Sequence, residues 1–268
     1  MPDYSRYERL SVEIDNKLAI VTLNRPEQRN AIDHRFHVEL QEVWVDLFDD
    51  KSVNAILLTH AGKYFSVGGN IKGMQDRPAG DVLEEGEMLE PTGGKRIVQN
   101  LLDCDKPIVV SMAGDCMGLA ATVALFCDIV VMGEEARIAD PHVKIGLVAG
   151  DGGAVIWPLL VGPNRAKEFL MRGNLINGVD AERMGLVNYV APTDQVYDKA
   201  YALARELADG PTWAIRWTKL SVNKQIKQAM NLVMDTSYAL EMATFQTEDH
   251  KEAVMSFIEK RKPAYSGR

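Results

Sequence analysis

The sequence has few cysteines, no long apolar run and no excess of positive charge, and each of these shortages excludes a class of protein. Three cysteines among 268 residues form no CxxC pair, which argues against a disulfide-bonded or redox protein and favours buried thiols. No apolar run reaches the roughly 18 residues of a membrane span, and the N-terminal MPDYSRYERL is too charged to be a signal peptide. A formal net charge of −8 argues against a general nucleic-acid or anionic-membrane surface. We therefore expect a cytoplasmic protein with neither nucleic acid nor membrane as a partner.

Familiar catalytic motifs are also absent from the sequence. It contains no GxxxxGK[ST] phosphate loop, no GxSxG nucleophile elbow, no HExxH zinc motif and no GxGxxG after a strand. His34 and His37 share one face of a predicted helix, but no third ligand lies near them in the sequence. Neither nucleotide hydrolysis nor metal catalysis is therefore expected, and no metal site is predicted.

Alternating strand and helix patterns are what the sequence does contain. Two β-type runs, RLSVEID and KLAIVTL, flank Asn16 and predict a hairpin. Asp33 can cap the next helix, in which apolar residues recur at helical spacing. These residues are Phe36, Leu40, Val43, Trp44 and Leu47. The following run, NAILLTH, predicts a buried strand, and the alternation continues to AVIWPLLVG. The pattern predicts an α/β core with largely parallel strands and an active site where loops leave those strands.

The strand signal ends near Pro192, and helical periodicity dominates from there to Lys260. We therefore divide the chain into a core with the active site, residues 1–195, and a helical C-terminal region, residues 196–268. Such a region, rich in Met, Leu and Ala, is suited to packing on a partner subunit. From the pattern alone it is equally suited to covering its own core.

Three glycine-bearing loops follow predicted strands. They are GKYFSVGGNIKGM at 62–74, AGDCMGLAA at 113–121 and IGLVAGDGG at 145–153. Glycine allows a backbone to approach a ligand closely, and N–H groups at a helix start can stabilise a developing oxyanion. Taken singly, each loop is more simply interpreted as a tight turn.

Taken together, the loops resemble a known family. GKYFSVGGNIKGM is similar to the crotonase (enoyl-CoA hydratase/isomerase) pattern G-K-x-F-x-x-G-x-D-[IL]-K. Other segments resemble that family in the same order along the chain: NRPEQRNAI, KPIVVSMAGDCMGLAATVALFCDIVV and SFIEKRKPAY. The resemblance implies a spiral of ββα units with a helical trimerisation region, assembled as a homotrimer or homohexamer. It also implies an acyl-CoA substrate, with coenzyme A as part of the substrate and no separate cofactor.

The resemblance further implies two backbone amides, those of Gly69 and Leu119, that donate hydrogen bonds to the thioester oxygen. Negative charge builds on that oxygen when the acyl chain becomes an enolate, and preorganised N–H donors stabilise it. Such a pair serves several reactions, so it specifies an intermediate and leaves the reaction open. Leu119 stands where glycine is common in the family, and its bulk should narrow the acyl pocket.

Two departures from the family pattern bear on the reaction. Where the family's hydratases carry two glutamates, this sequence has Thr122 and His142. His142 can act as a base because its reference pKa is about 6.5, or it can be a structural histidine bonded to backbone. The Thr122 hydroxyl can position a water or a polar group of the substrate, although a bond to a carbonyl of its own helix is the simpler expectation.

Asp151, between two glycines, has two interpretations. Some isomerase, dehalogenase and ring-forming members of the superfamily carry an acidic residue near this position, and the surrounding GDG resembles a β-diketone hydrolase branch. An Asp before a helix start is also a strong N-cap signal, and the two roles are compatible.

We therefore predict an enoyl-CoA hydratase/isomerase-like enzyme in which Asp151 and His142 replace the missing acid/base groups. The alternatives are hydrolysis of a carbon–carbon bond in a β-dicarbonyl compound and a non-catalytic acyl-CoA-binding subunit. The resemblance also gives candidate contacts with coenzyme A, the last two of them near a neighbouring subunit's ligand. These are Arg25, Lys63, Lys72, Phe257 and Lys260.

Overall fold

Strands and helices alternate through most of the chain in the computed structural model, which describes residues 2–71 and 93–268. The described strands are β1 (Leu10–Asp15), β2 (Leu18–Leu23), β3 (Ala55–His60), β4 (Ile108–Met112), β5 (Cys116–Met117), β6 (Ile129–Gly133), β7 (Arg137–Ala139), β8 (Ile176–Asn177) and β9 (Tyr189–Ala191). Six of them form one sheet in the order β1-β2-β3-β4-β6-β9, and three form a smaller sheet in the order β5-β7-β8. The larger sheet is parallel except for its β1–β2 pair, as the alternation in the sequence predicts.

Helices connect these strands and make up the C-terminal region. The described α-helices are α1 (His34–Asp49), α2 (Gly93–Asp103), α3 (Leu119–Phe126), α4 (Gly153–Val161), α5 (Pro163–Arg172), α6 (Gly178–Arg183), α7 (Val196–Asp209), α8 (Thr212–Thr244) and α9 (Glu248–Glu259). Short 3-10 turns lie at Tyr4–Arg6, Pro26–Gln28, His142–Ile145 and Thr193–Gln195. Within residues 2–71 and 93–268, no helix is both long enough and apolar enough to cross a membrane.

The predicted hairpin and the first predicted helix are confirmed. Strands β1 and β2 pair antiparallel, with Leu10 opposite Leu23. The Asp33 carboxylate caps α1 by accepting a hydrogen bond from the Phe36 N–H, which satisfies one of the donors that a helix start leaves free. All five apolar residues predicted for the buried face of α1 are in the core.

The two faces of the larger sheet are covered by different helices, and β3 shows how its side chains divide between them. Ile56 and Leu58 join the main apolar core that contains α1 and α2, whereas Leu57 faces the other way, toward the alanines of α7. Successive side chains of a strand point to opposite faces, so an all-apolar strand requires cover on both. Helix α7 therefore covers the sheet of its own chain. The proposed division at residue 195 and the role of the C-terminal region in assembly remain predictions.

The long helix α8 is attached to the core by buried polar side chains along one face. The Lys219 ammonium donates to the Lys106 carbonyl at 2.8 Å and the Asn223 amide to the Leu102 carbonyl at 3.0 Å. Nearer its C-terminus, the Ser237 hydroxyl donates to the Gly150 carbonyl at 3.2 Å. The first two bonds hold α8 against α2 and the segment before β4, and the third holds it against the third glycine-bearing loop.

Candidate active site

The first two glycine-bearing loops run side by side. Ser66 pairs with Cys116 in an isolated parallel bridge: the Ser66 N–H donates to the Asp115 carbonyl at 3.1 Å, and the Met117 N–H donates to the Ser66 carbonyl at 3.0 Å. Gly68 has φ +80°, and a Cβ placed there would lie 2.8 Å from the Met117 carbonyl oxygen. A side chain at Gly68 would therefore separate the loops.

The two amides expected to bind the thioester oxygen lie on these neighbouring loops. Gly69 pairs with Ile32, but the bonds of that bridge are made by its neighbours, from the Ile32 N–H to the Gly68 carbonyl and from the Asn70 N–H to the Ile32 carbonyl. Leu119 begins α3, so its N–H has no acceptor within the helix. Among the described residues, neither the Gly69 nor the Leu119 N–H donates a backbone hydrogen bond. Within residues 2–71 and 93–268, both amides are therefore available as hydrogen-bond donors.

His142 lies beside the same loops. It begins the 3-10 turn that follows β7, and a Cβ at Gly118 would lie 3.9 Å from both Gly68 Cα and His142 Cε1. Its Nδ1 forms a short hydrogen bond with an oxygen of Asp140, and the His142 side chain is only 12% exposed. The alternative of a histidine bonded to backbone is therefore wrong, because the ring nitrogen is paired with a carboxylate.

Asp151 faces the other nitrogen of His142, with 3.4 Å between Asp151 Oδ2 and His142 Nε2. Its second oxygen, Oδ1, accepts a hydrogen bond from the Thr122 hydroxyl at 3.1 Å. The expected bond from Thr122 to its own helix is thus wrong, because the buried carboxylate is a stronger acceptor than a carbonyl already bonded within the helix. Asp151 does not hold the N-cap position either, since α4 is capped at Gly152 without a side-chain bond.

Glu241 is a member of the same cluster that sequence analysis did not identify. It lies on α8, is 6% exposed, and places Oε1 3.8 Å from His142 Nε2. No sequence signal marks it, because it belongs to a long helix with many charged residues. Asp140 was also missed, although its position two residues before a candidate histidine could have suggested it.

Burial and mutual charge shift the pKa values of this cluster strongly. Burial alone would lower the pKa of His142, but the negative charges of Asp140 and Asp151 outweigh it and raise that pKa well above its usual value. Burial raises the pKa of Asp151, opposed by the His142 imidazolium and the Thr122 hydroxyl. Burial, reinforced by the charge of Asp151, raises the pKa of Glu241 to about 8. Strongly shifted groups gathered in one place are typical of active sites.

The cluster also has the composition of a cation site, since donor atoms of Asp140, His142 and Asp151 all lie within 4.8 Å of one another. However, both ring nitrogens of His142 face carboxylate oxygens. A protonated imidazole donates from both nitrogens, so a hydrogen-bonded ion pair with Asp140 and a longer ion pair with Asp151 account for the arrangement.

The two described candidate coenzyme A contacts from the core differ in exposure. Arg25 is 8% exposed, and its guanidinium donates to the Asp33 carboxylate at 2.6 Å, so this charge already has a partner. Lys63 is exposed, with its ammonium 5.7 Å from the centre of the Tyr64 ring. Lys72 lies outside the described residues.

Two further candidates lie at the C-terminal end of α9. Phe257 is 53% exposed, and Lys260 is the exposed C-cap, with φ 56°. Neither belongs to the cluster around His142, and both are exposed to solvent.

Comparisons with known proteins agree with the resemblance in the sequence. The family model described as "Enoyl-CoA hydratase/isomerase" matches residues 13–268. The chain is 30% identical to "Probable enoyl-CoA hydratase echA8" of Mycobacterium tuberculosis over 262 residues, which covers 98% of this chain and 99% of that one. It is 29% identical to "Crotonyl-CoA hydratase" of Syntrophomonas wolfei over 257 residues, 96% of this chain and 97% of the relative. Among solved structures, an enoyl-CoA hydratase/isomerase from Mycobacterium paratuberculosis superposes with a TM-score of 0.86 at 33% identity, covering 92% of this chain and 98% of that one.

Proposed function

Because the chain belongs to the enoyl-CoA hydratase/isomerase family and has its crotonase-type fold, we propose that it adds water to, or moves a double bond within, an acyl-CoA thioester. The proposal depends on one observation above all: His142 and Asp151, 3.4 Å apart, lie next to the two glycine-bearing loops that carry the free amides of Gly69 and Leu119. An acid/base pair beside two N–H donors is what enolate chemistry requires.

The amides would act on the thioester oxygen. As the α-carbon loses a proton, or as water adds at the β-carbon, the electron pair moves onto this oxygen and an enolate forms. Each amide donor that stabilises the enolate is worth about 2.7–4 kcal/mol, by comparison with oxyanion donors elsewhere. The Leu119 N–H has the added advantage of a helix N-terminus, where the dipole favours negative charge.

The proton transfers would be divided between Asp151 and His142. Asp151, as the carboxylate, takes a proton from the attacking water while the water oxygen bonds to the β-carbon. His142, protonated because of its raised pKa, donates a proton to the α-carbon as the enolate collapses. The proton then passes from Asp151 to His142, which restores both groups. In isomerisation the same two groups would exchange protons with carbon alone.

A second candidate is hydrolysis of a carbon–carbon bond in a β-dicarbonyl compound. Its support is the His142–Asp151 pair, since the Asp151 carboxylate can take a proton from water that attacks a carbonyl and the protonated His142 can donate a proton to the departing carbon. The departing carbon would leave as an enolate on the same amides. This second candidate function uses the same residues as the first and differs from it in the substrate.

Turnover of a substrate panel distinguishes these functions. Enoyl-CoA thioesters, β-ketoacyl-CoA thioesters and free β-diketones would be incubated with the enzyme, and the products identified by mass spectrometry. A product one water heavier than an enoyl-CoA, or a shifted double bond, supports the first proposal, and two shorter carbonyl products support the second. If no substrate reacts while acyl-CoA still binds, the chain is a non-catalytic acyl-CoA-binding subunit.

We further propose that the chain assembles as a homotrimer or homohexamer. Support comes from large apolar side chains exposed along α8, among them Trp213, Trp217 and Leu232, whose exposed fractions are 60%, 60% and 75%. Apolar surface of this extent on a helix is typical of a face covered by a partner. Phe257 and Lys260 would then lie near the coenzyme A of a neighbouring subunit.

A further inference from the structure

The proposed hydration and isomerisation use Asp151 and His142 and assign no role to the nearby carboxyl of Glu241. We propose that Glu241 is a positioning residue, which competes with Asp151 for the same nitrogen of His142 and so determines which of the two carboxyls carries a proton. This inference deepens the proposed function and rests on it only where turnover is measured.

The surroundings of Glu241 favour a carboxyl that holds a proton. Its Oε1 lies 3.8 Å from His142 Nε2, beyond a good hydrogen bond. Its Oε2 is buried and has no hydrogen-bond partner among the described residues. A buried carboxylate with one unpartnered oxygen is strongly disfavoured, whereas the neutral acid costs much less.

The contact between α8 and the third loop is built to admit this side chain. A Cβ at Gly150 would lie 2.5 Å from Glu241 Cβ and 2.6 Å from its Oε2, so no larger residue fits there. The Ser237 hydroxyl fixes the same contact by its bond to the Gly150 carbonyl at 3.2 Å. Because Asp151 follows Gly150 directly, this contact brings both carboxyls to one histidine nitrogen.

Among the described residues, three titratable groups act on Glu241 from the elements packed around it. Asp151 and Asp140 raise its pKa, His142 lowers it, and burial raises it most, with a result of about 8. Below this pH, Glu241 is neutral and Asp151 is the carboxylate partner of Nε2. Above it, a second negative charge appears beside Nε2 and raises the proton affinity of both Asp151 and His142. The His142 imidazolium then becomes a poorer acid toward the α-carbon, so we expect turnover to fall through an alkaline limb near pH 8.

The test uses Glu241→Gln, which keeps the size of the side chain and removes its titration. The imidazole of His142 is followed by NMR with nitrogen-labelled histidine across the pH range in the free protein, and its signal is identified by its loss in His142→Gln. In the unaltered protein we expect an inflection near pH 8 from Glu241. In Glu241→Gln this inflection should vanish, and the pKa of His142 should fall by about one unit or more.

Two further variants make the result specific. Asp235→Asn removes a charge from the same helix at a side chain that is 70% exposed, and it should leave the His142 titration unchanged. Glu241→Asp keeps a carboxyl but withdraws it by one methylene, so it should keep an inflection at a shifted pH. If Glu241→Gln does not fold, the inference is tested with Glu241→Asp instead.

Turnover separates this inference from the proposed function. With an active substrate, Glu241→Gln should lose the alkaline limb of the kcat profile. If the His142 titration changes as expected but no acyl-CoA reacts, the linkage of Glu241 to His142 stands and the proposed function falls. A His142 titration that is the same in Glu241→Gln as in the unaltered protein overturns the inference.

Discussion

Replacing Asp151 with asparagine tests whether this residue transfers a proton. The substitution preserves size, and the amide oxygen can still accept the hydrogen bond that the Thr122 hydroxyl gives to Oδ1 at 3.1 Å. What is lost is the carboxylate oxygen 3.4 Å from His142 Nε2. If Asp151 is the base, kcat should fall by about 10²–10⁴, the range for general acid/base catalysis.

The fold should tolerate this change, because two electrostatic effects oppose each other. Burial raises the pKa of Asp151, which means that burying the ionised carboxylate destabilises the fold. Asparagine is neutral and removes this destabilisation. The attraction to His142 is also lost, but Asp140 still pairs with the other ring nitrogen. We expect a net change of about 1 kcal/mol or less in the free energy of unfolding, the size of one net hydrogen bond.

The assay is kcat at saturating substrate, with coenzyme A binding and thermal unfolding measured on the same preparations. Loss of turnover with binding and unfolding nearly unchanged identifies a proton-transfer group. An Asp151→Asn enzyme that keeps near-normal kcat would refute the role and make His142 the sole candidate. A large loss of stability together with turnover would show that the residue is structural.

Local patterns in the sequence were sufficient to predict much of the framework. The hairpin, the cap of α1 at Asp33 and the buried strand β3 depend on periodicity and capping, which act over a few residues. Strands of two or three residues, such as β5 and β8, were not predicted because so short a segment shows no period. Helices α5 and α6 were also not predicted.

The cluster at the candidate site could be predicted only in part, because it is assembled from distant segments. His142 and Asp151 were found through glycine-bearing loops and departures from a family pattern. The role of Thr122 was misjudged because the acceptor for its hydroxyl, Asp151, comes from another element. Glu241 was inaccessible to such reasoning, since only the docking of α8 on the third loop brings it to His142.

Four further predictions follow from the described geometry. Thr122→Val leaves the Asp151 carboxylate without a hydroxyl donor and should raise the pKa of Asp151. The acidic limb of the kcat profile, where Asp151 loses its proton, should therefore move to higher pH, whereas Thr122→Ser should keep it in place. Gly68→Ala forces a Cβ to 2.8 Å from a carbonyl oxygen at positive φ and should cost about 1–3 kcal/mol of stability together with much of kcat. Gly185→Ala, at a similar φ with its nearest neighbour at 3.8 Å, should affect stability less and leave kcat unchanged. Light scattering should give a trimer or hexamer, and a stable 29.8 kDa species at micromolar concentration would contradict it. Finally, thermal stability should fall as the pH rises from mildly acidic values to above 8.

The expected fall in stability with pH follows from the direction of the shifts in the cluster. Glu241 has a reference pKa of 4.5 and a folded value of about 8, so its stabilising contribution, from the protonated form, is complete below 4.5 and is lost as pH rises to 8. The raised pKa of His142 acts in the same direction, because the imidazolium that the fold favours is lost as pH rises through the folded pKa. Carboxyls with lowered pKa values, such as Asp33 and Asp50, change their contribution to stability only at lower pH. They therefore do not offset the loss of stability between pH 5 and 9. Melting temperatures measured between pH 5 and 9 should therefore decline, and less steeply in Glu241→Gln. Equal slopes in the two proteins would show that Glu241 does not hold its proton in the folded state.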